Sequence, residues 1–272
     1  RFLVPKGESS MRSFFSVALI FTILCISAPA ITQEEQAEPT FPSISGLMYE
    51  TFKGIDRPLF NEYFALLVEK FEGNPDAGWS IWNENMSVAY RITGLPEGLH
   101  SVAAITERRQ TGFQEFTEEE RALWDKAWQT RQVQLYNAIP ALSYVPEGFT
   151  MEDMRQLPWR RVEIHHVEWD QAPAWRAAVA RMNEINREYG IDNMVVTVWS
   201  GGLGTTAMSF MVRSADESQE AYRANRMERN GIREAHREEI RDLFMQMNAA
   251  TRHIERHDQT VAPNLSRRGT AR

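Results

Sequence analysis

The chain has 272 residues, 43% of them hydrophobic, with 30 Lys and Arg against 37 Asp and Glu and a formal net charge of −7. That hydrophobic share supports an ordinary core and excludes a wholly disordered chain. An acidic balance without clustered Lys and Arg excludes binding to a nucleic-acid backbone, and a single cysteine excludes a disulfide framework.

Residues 1–10 precede the first methionine and read as an upstream artefact. Met11 and Arg12, an apolar run from Phe14 to Ile26, and the small residues of Ala28-Pro29-Ala30 predict a cleavable signal peptide over 11–30. Cleavage would remove Cys25 and with it every thiol-based nucleophile or metal site. It would leave 27 basic and 36 acidic residues, a charge of −9, in a periplasmic or secreted protein without a membrane segment. Residues 31–43 are acidic and carry prolines, which predicts a flexible leader.

The following sequence reads twice through one plan. A strand over 46–52 precedes Pro58 and a helix carrying Leu59, Phe60, Tyr63, Phe64, Leu67 and Phe71. Strands at 79–84 and 88–92 come next, then a long helix over 117–137 with Trp124 and Trp128 one turn apart. In the second pass a strand at 160–169 precedes Pro173 and a helix bearing Trp175, Ala178, Val179, Met182 and Ile185. Met194 opens another strand, 200–204 form a glycine-rich turn, and Met208, Phe210 and Val212 alternate as the returning strand. Asp216 and Ser218 then start helical sequence to about 257. The expected domains are a first α+β repeat at 44–143, a linker at 144–158, a second repeat at 159–257 and a disordered tail at 258–272. An offset of 115 places Pro58 on Pro173 and Phe60 on Trp175, and an offset of 120 places Val88, Tyr90 and Ile92 on Met208, Phe210 and Val212.

This duplicated β-α-β-β-α order resembles the dimeric α+β barrel superfamily, which includes NIPSNAP-like proteins, antibiotic-biosynthesis-type monooxygenases, haem-degrading enzymes and chlorite-dismutase-like haem proteins. The resemblance implies an α+β fold of two tandem ferredoxin-like repeats whose antiparallel sheets pair into a barrel, within the chain or in a homodimer. It transfers no function.

Alternation along the strand at 160–169 puts Val162, Ile164 and His166 on one face, expected beneath helices, and Glu163, His165, Val167 and Trp169 on the other, expected inside the barrel. Met48, Glu50 and Phe52 match the second face. His165, Glu163 and Arg213 are the candidate catalytic groups, the imidazole serving as a base or a haem ligand. His165, Trp199 and Trp82 are the candidate cofactor-binding residues, with haem the cofactor to test, and Arg91 is expected nearby. The alternative is a buried pair that satisfies only itself. His253 and His257, read as i and i+4 on a helix, could share a metal but lack an evident third ligand, so no metal site is assigned. Three functions remain: binding of a small apolar or planar ligand, a haem-type or cofactor-independent oxidoreductase or monooxygenase, and a homo-oligomeric structural protein.

Overall fold

The computed structural model describes residues 45–74, 77–206 and 208–267. The expected artefact at 1–10, signal peptide at 11–30, leader at 31–43 and residues 268–272 of the expected tail lie outside the described residues.

The elements in order are β1 (Gly46–Lys53), α1 (Arg57–Lys70), β2 (Ser80–Asn83), β3 (Val88–Leu95), α2 (His100–Gln114), α3 (Glu118–Trp128), β4 (Arg131–Ala138), α4 (Met151–Gln156), β5 (Trp159–Val167), α5 (Ala172–Glu188), β6 (Val195–Gly201), β7 (Ser209–Asp216), α6 (Gln219–Ile232), α7 (Arg237–Ala249) and β8 (Thr251–Val261). Local chemistry explains the main helix starts. Asp56 caps α1 by accepting from the Leu59 N–H, Thr117 and Glu120 form a reciprocal capping box on α3, and Ser218 caps α6. No helix among the described residues is long and apolar enough to cross a membrane.

All neighbouring strands are antiparallel, and the sheet closes into an eight-stranded barrel in the order β1-β3-β2-β8-β5-β7-β6-β4. Every strand therefore finds both neighbours within one chain.

Side-chain parity identifies the two faces of this sheet. One cluster draws on every strand and on no helix, with Tyr49, Trp82, Tyr90, Tyr136, Val162, Ile164, Trp199 and Met211 buried and Val261 packed against them. It lines much of the barrel interior. The other clusters mix strand and helix residues, such as Phe52 with Phe60 and Phe64 of α1, or Val167, Val198 and Phe210 with Trp175 of α5. They form the layer between sheet and helices.

The expected faces of β5 are thus reversed. Val162 and Ile164 point into the barrel, whereas His165 lies 5.4 Å from the Trp175 ring of α5. Glu50 and Arg91 also lie on the outer face. Alternation sorts residues into two sets but does not say which set is enclosed; here the inside of a small barrel takes the bulky apolar set. Trp169 is in neither core, being 75% exposed.

Residue pairing also corrects the register. Glu50 faces Arg91, and His165, 115 positions after Glu50, faces Phe210, which is 119 positions after Arg91. An offset of 120 would put inward-facing Tyr90 on outward-facing Phe210, the face reversal that a one-residue slip produces.

Two strands replace expected helix or tail. The helix expected over 117–137 ends at Trp128, and β4 follows; the helix expected to 257 ends at Ala249, and β8 runs to Val261 through the start of the expected disordered tail. The inward face of β8 carries His253, Glu255, His257 and Gln259, opposite His166, Ile164, Val162 and Arg160. Both faces are polar, so no apolar alternation marks the strand. His253 and His257 consequently lie on a strand: His253 stacks at 5.7 Å on His166, and His257 contacts Glu84 and Tyr90.

The β6–β7 turn leans on β4 through Gly204, where φ is +78° and an added Cβ would stand 2.2 Å from the Val133 carbonyl oxygen. Gly204→Ala is expected to cost roughly 1–3 kcal/mol, because both the backbone conformation and the close approach are lost to a side chain. Urea denaturation of the variant checks this.

Candidate functional site

A cleft of about 620 Å³, partly open to solvent, lies between the outer face of β3 and helices α1, α2 and α3. Phe71, Trp79, Phe113, Phe116 and Trp124 supply its aromatic walls, and Arg91, Thr93, Arg108 and Arg109 its polar groups. Packing fixes these walls. Phe113 and Trp124 stand 5.1 Å apart edge to face, Trp124 stacks on Trp128 at 4.3 Å, and the Trp79 indole donates to the Leu265 carbonyl at 2.9 Å. Gly112 on α2 leaves room for Phe71, whose Cζ would lie 2.7 Å from an added Cβ.

Beneath the cleft Glu50 is fully buried. Arg91 holds it with two bonds, Nε to Oε2 at 2.5 Å and Nη2 to Oε1 at 2.8 Å; Arg131 donates at 2.6 Å and Arg109 at 3.3 Å. The Arg91 and Arg131 guanidiniums lie 4.5 and 4.2 Å from the Trp128 ring. Three guanidiniums therefore share one carboxylate. Burial pushes the Glu50 pKa up, but Arg91, Arg109 and Arg131 together outweigh it and hold the group at about 2. Arg109 is pushed down to about 9, by burial first and then by Arg91 and Arg131 against the pull of Glu50. Among the described residues that reach Glu50, positive charge is in excess.

A pH dependence follows. The Glu50 carboxyl is depressed on folding from the ordinary 4.5 to about 2, so its contribution is fully present above pH 4.5 and is lost as pH falls through 2. That contribution amounts to about 3 kcal/mol at neutral pH. Urea midpoints measured from pH 7 to pH 2 should fall in that window for the wild type and stay flatter for Glu50→Gln.

The residues proposed from sequence do not form one site. Arg213, Trp199 and Trp82 come together inside the barrel, the Arg213 guanidinium lying 5.8 Å from the Trp199 ring. His165 and Glu163 occupy the opposite face, with His165 Nε2 3.9 Å from Glu163 Oε2 and Glu163 accepting from Arg256 at 2.7 Å. His165 does not fit an axial haem ligand. Trp175 lies against its ring and itself stacks on Phe210 at 4.5 Å, which fills the space a porphyrin needs. Among the described residues the cleft is lined by no His, Cys, Tyr or Met, so they offer no usual axial ligand either.

Arg108, Arg109 and Phe113, all on α2, were missed by sequence reasoning. That helix has one buried residue, Ile105, and no capping side chain, so neither of the usual signals marks it. Arg109 lies one turn beyond Ile105 and one turn before Phe113, and this i, i+4, i+8 row was the signal available.

No family model matches the chain, and no curated protein matches it. Solved structures do. An anthrone oxidase-like protein has a TM-score of 0.50 at 10% identity, covering 80% of this chain and 91% of that one. A Lactobacillus acidophilus protein with a provisional monooxygenase name has 0.51 at 9% identity, covering 80% and 94%. A Fusobacterium nucleatum protein with the same provisional name has 0.52 at 8% identity, covering 81% and 94%. The chain shares with these structures a fold in which helices flank an antiparallel β-barrel. At these identities the likeness extends to the fold and stops there.

Proposed function

We propose that the chain binds a planar small molecule bearing an anionic group in the cleft over Arg109. The observation that carries this reading is the pairing of five aromatic walls with a floor where Arg91, Arg109 and Arg131 outnumber Glu50. Aromatic faces recognise a flat ring system, and a guanidinium gives a carboxylate or phenolate a charge-assisted bond. Fluorescence titration with 2-naphthoate and with the neutral 2-naphthylmethanol tests it. The acid should bind at least about tenfold more tightly, and Arg109→Gln should remove most of that preference; equal affinities, or a preference untouched by the variant, would count against it.

A second reading, oxygenase chemistry on that ligand, draws support from the names of the similar structures and from the cationic floor. Positive charge lowers the pKa of a bound phenol or enol, and the resulting anion is the form that gives electrons to dioxygen. Oxygen uptake with an anthrone that disappears in Arg109→Gln is the expected result; no uptake from pH 6 to pH 9 would eliminate this reading.

The order strand, helix, strand, strand, helix, helix, strand, occurring at β1–β4 and again at β5–β8, supports reading the chain as two tandem ferredoxin-like repeats. The apolar run before Ala30 supports export. An intact mass beginning at Ile31 for protein recovered outside the cytoplasm is the expected result, and native mass spectrometry tests the homodimer.

A further inference from the structure

The barrel interior holds two guanidiniums that the cleft does not use. Arg160 is 1% exposed, stands on the inward face of β5, and lies with its guanidinium 3.7 Å from the Trp82 ring. Its Nε donates to Gln259 Oε1 at 2.7 Å, while Nη1 and Nη2 are sealed from solvent and have no hydrogen-bond partner. Arg213, on the inward face of neighbouring β7, pairs across from Val162, two residues from Arg160, which makes the two arginines diagonal neighbours in the sheet. Its Nε is also buried without a partner. Gln259 continues from Arg160 to Tyr49, donating through Nε2 to the hydroxyl at 2.8 Å, and so leaves the Tyr49 proton free to be donated.

The inward-facing carboxylates are committed elsewhere. Glu255 accepts from His166 at 2.7 Å and approaches His257 at 3.6 Å, and Glu84 is shared by Tyr90 and His257. No carboxylate pairs with Arg160 or Arg213 among the described residues. A buried guanidinium with orphaned N–H groups is costly, and protein interiors normally neutralise one with an anion. The cost shows in the acidities: burial, then the repulsion of Arg213, lowers Arg160, and burial lowers Arg213 to about 10.

We propose that the inside of the barrel is a second binding site, separate from the cleft, for an oxyanion held by Arg160, Arg213 and Tyr49. The chemistry suits inorganic phosphate or the carboxylate of a small acid. Stacking on Trp82 and the bond to Gln259 fix the guanidinium plane of Arg160, so its two free N–H groups form a fork of the kind that takes two oxygens at once. Tyr49 and the Arg213 Nε supply further donors from β1 and β7.

Calorimetric titration of the full chain at constant ionic strength tests this, with phosphate in one arm, acetate in another and chloride as the control. Saturable binding in at least one oxyanion arm is expected, weakened about tenfold or more in both Arg160→Met and Arg213→Met. Phosphate and acetate affinities distinguish a mineral from an organic anion. A thermal melt adds an independent readout: Arg160→Met should lose the oxyanion-dependent rise in midpoint while matching or exceeding the wild type in chloride, since it removes an unpaired buried charge. Should Arg160→Met fail to fold, Arg213→Met carries the test alone. Absence of saturable oxyanion binding overturns the proposal. So does binding that survives in the folded arginine variants, or that is lost in Arg109→Gln instead, which would place the anion in the cleft.

Discussion

Replacing Glu50 by leucine is expected to destabilise the chain by about 3–5 kcal/mol, the range for breaking a buried ion pair from one side. Glu50 is the sole carboxylate among the ion-pair partners of Arg91, Arg109 and Arg131 in the described residues. Without it three guanidiniums face one another beneath aromatic rings, and Arg91, the most buried, is almost wholly sealed from solvent. The loss is mainly the cost of orphaned charge, and the double variant tests that origin. Arg91→Met added to Glu50→Leu should recover part of the stability, whereas a carboxylate acting through shape alone would give additive losses in urea denaturation.

Trp175→Ala is expected to cost about 3–5 kcal/mol, the range for emptying a large aromatic site in a core. Trp175 is fully buried, stacks on Phe210 and packs with Val167, Val179 and Val198. Its indole N–H has no partner, so no hydrogen bond is lost, and Trp175→Phe should cost much less, about 1.5 kcal/mol or under. Phe60, at the matching place on α1, packs beside Phe52 and Phe64, and the open space lies farther along, by Phe71 and Phe113. Trp175 with Phe210 occupies the sheet face around His165. Trp175→Ala therefore opens a cavity beside that histidine, detectable as new binding of a small apolar probe such as indole.

What could be read from the sequence followed from how strongly each element advertises its buried face. The aromatic rows of α1 and α5, each with a proline in its first turn, marked both helices. The turn at 200–204 and the strands around it were legible because β6 and β7 carry apolar side chains on both faces. β8 was not, because its inward face consists of His253, Glu255, His257 and Gln259, residues that pass for a solvated helix until the strands beside them are known. The candidate site was harder still. Trp82, Trp199 and Arg213 do gather inside the barrel, but His165 and Glu163 are on the other side of the sheet, since parity alone does not tell inside from outside. Glu50 and Arg91 were named from sequence without their meaning. That meaning depends on Arg109 and Arg131, which reach Glu50 from α2 and β4, the two elements whose periodicity was obscured.

The claim that a planar anion occupies the cleft is tested most directly by a crystal structure of the chain grown with 2-naphthoate. The account predicts a carboxylate within about 3 Å of the Arg109 guanidinium, with the ring system between Phe113, Trp124 and Phe71. Naphthoate bound with its carboxylate turned to solvent, or found only outside the cleft, would contradict it.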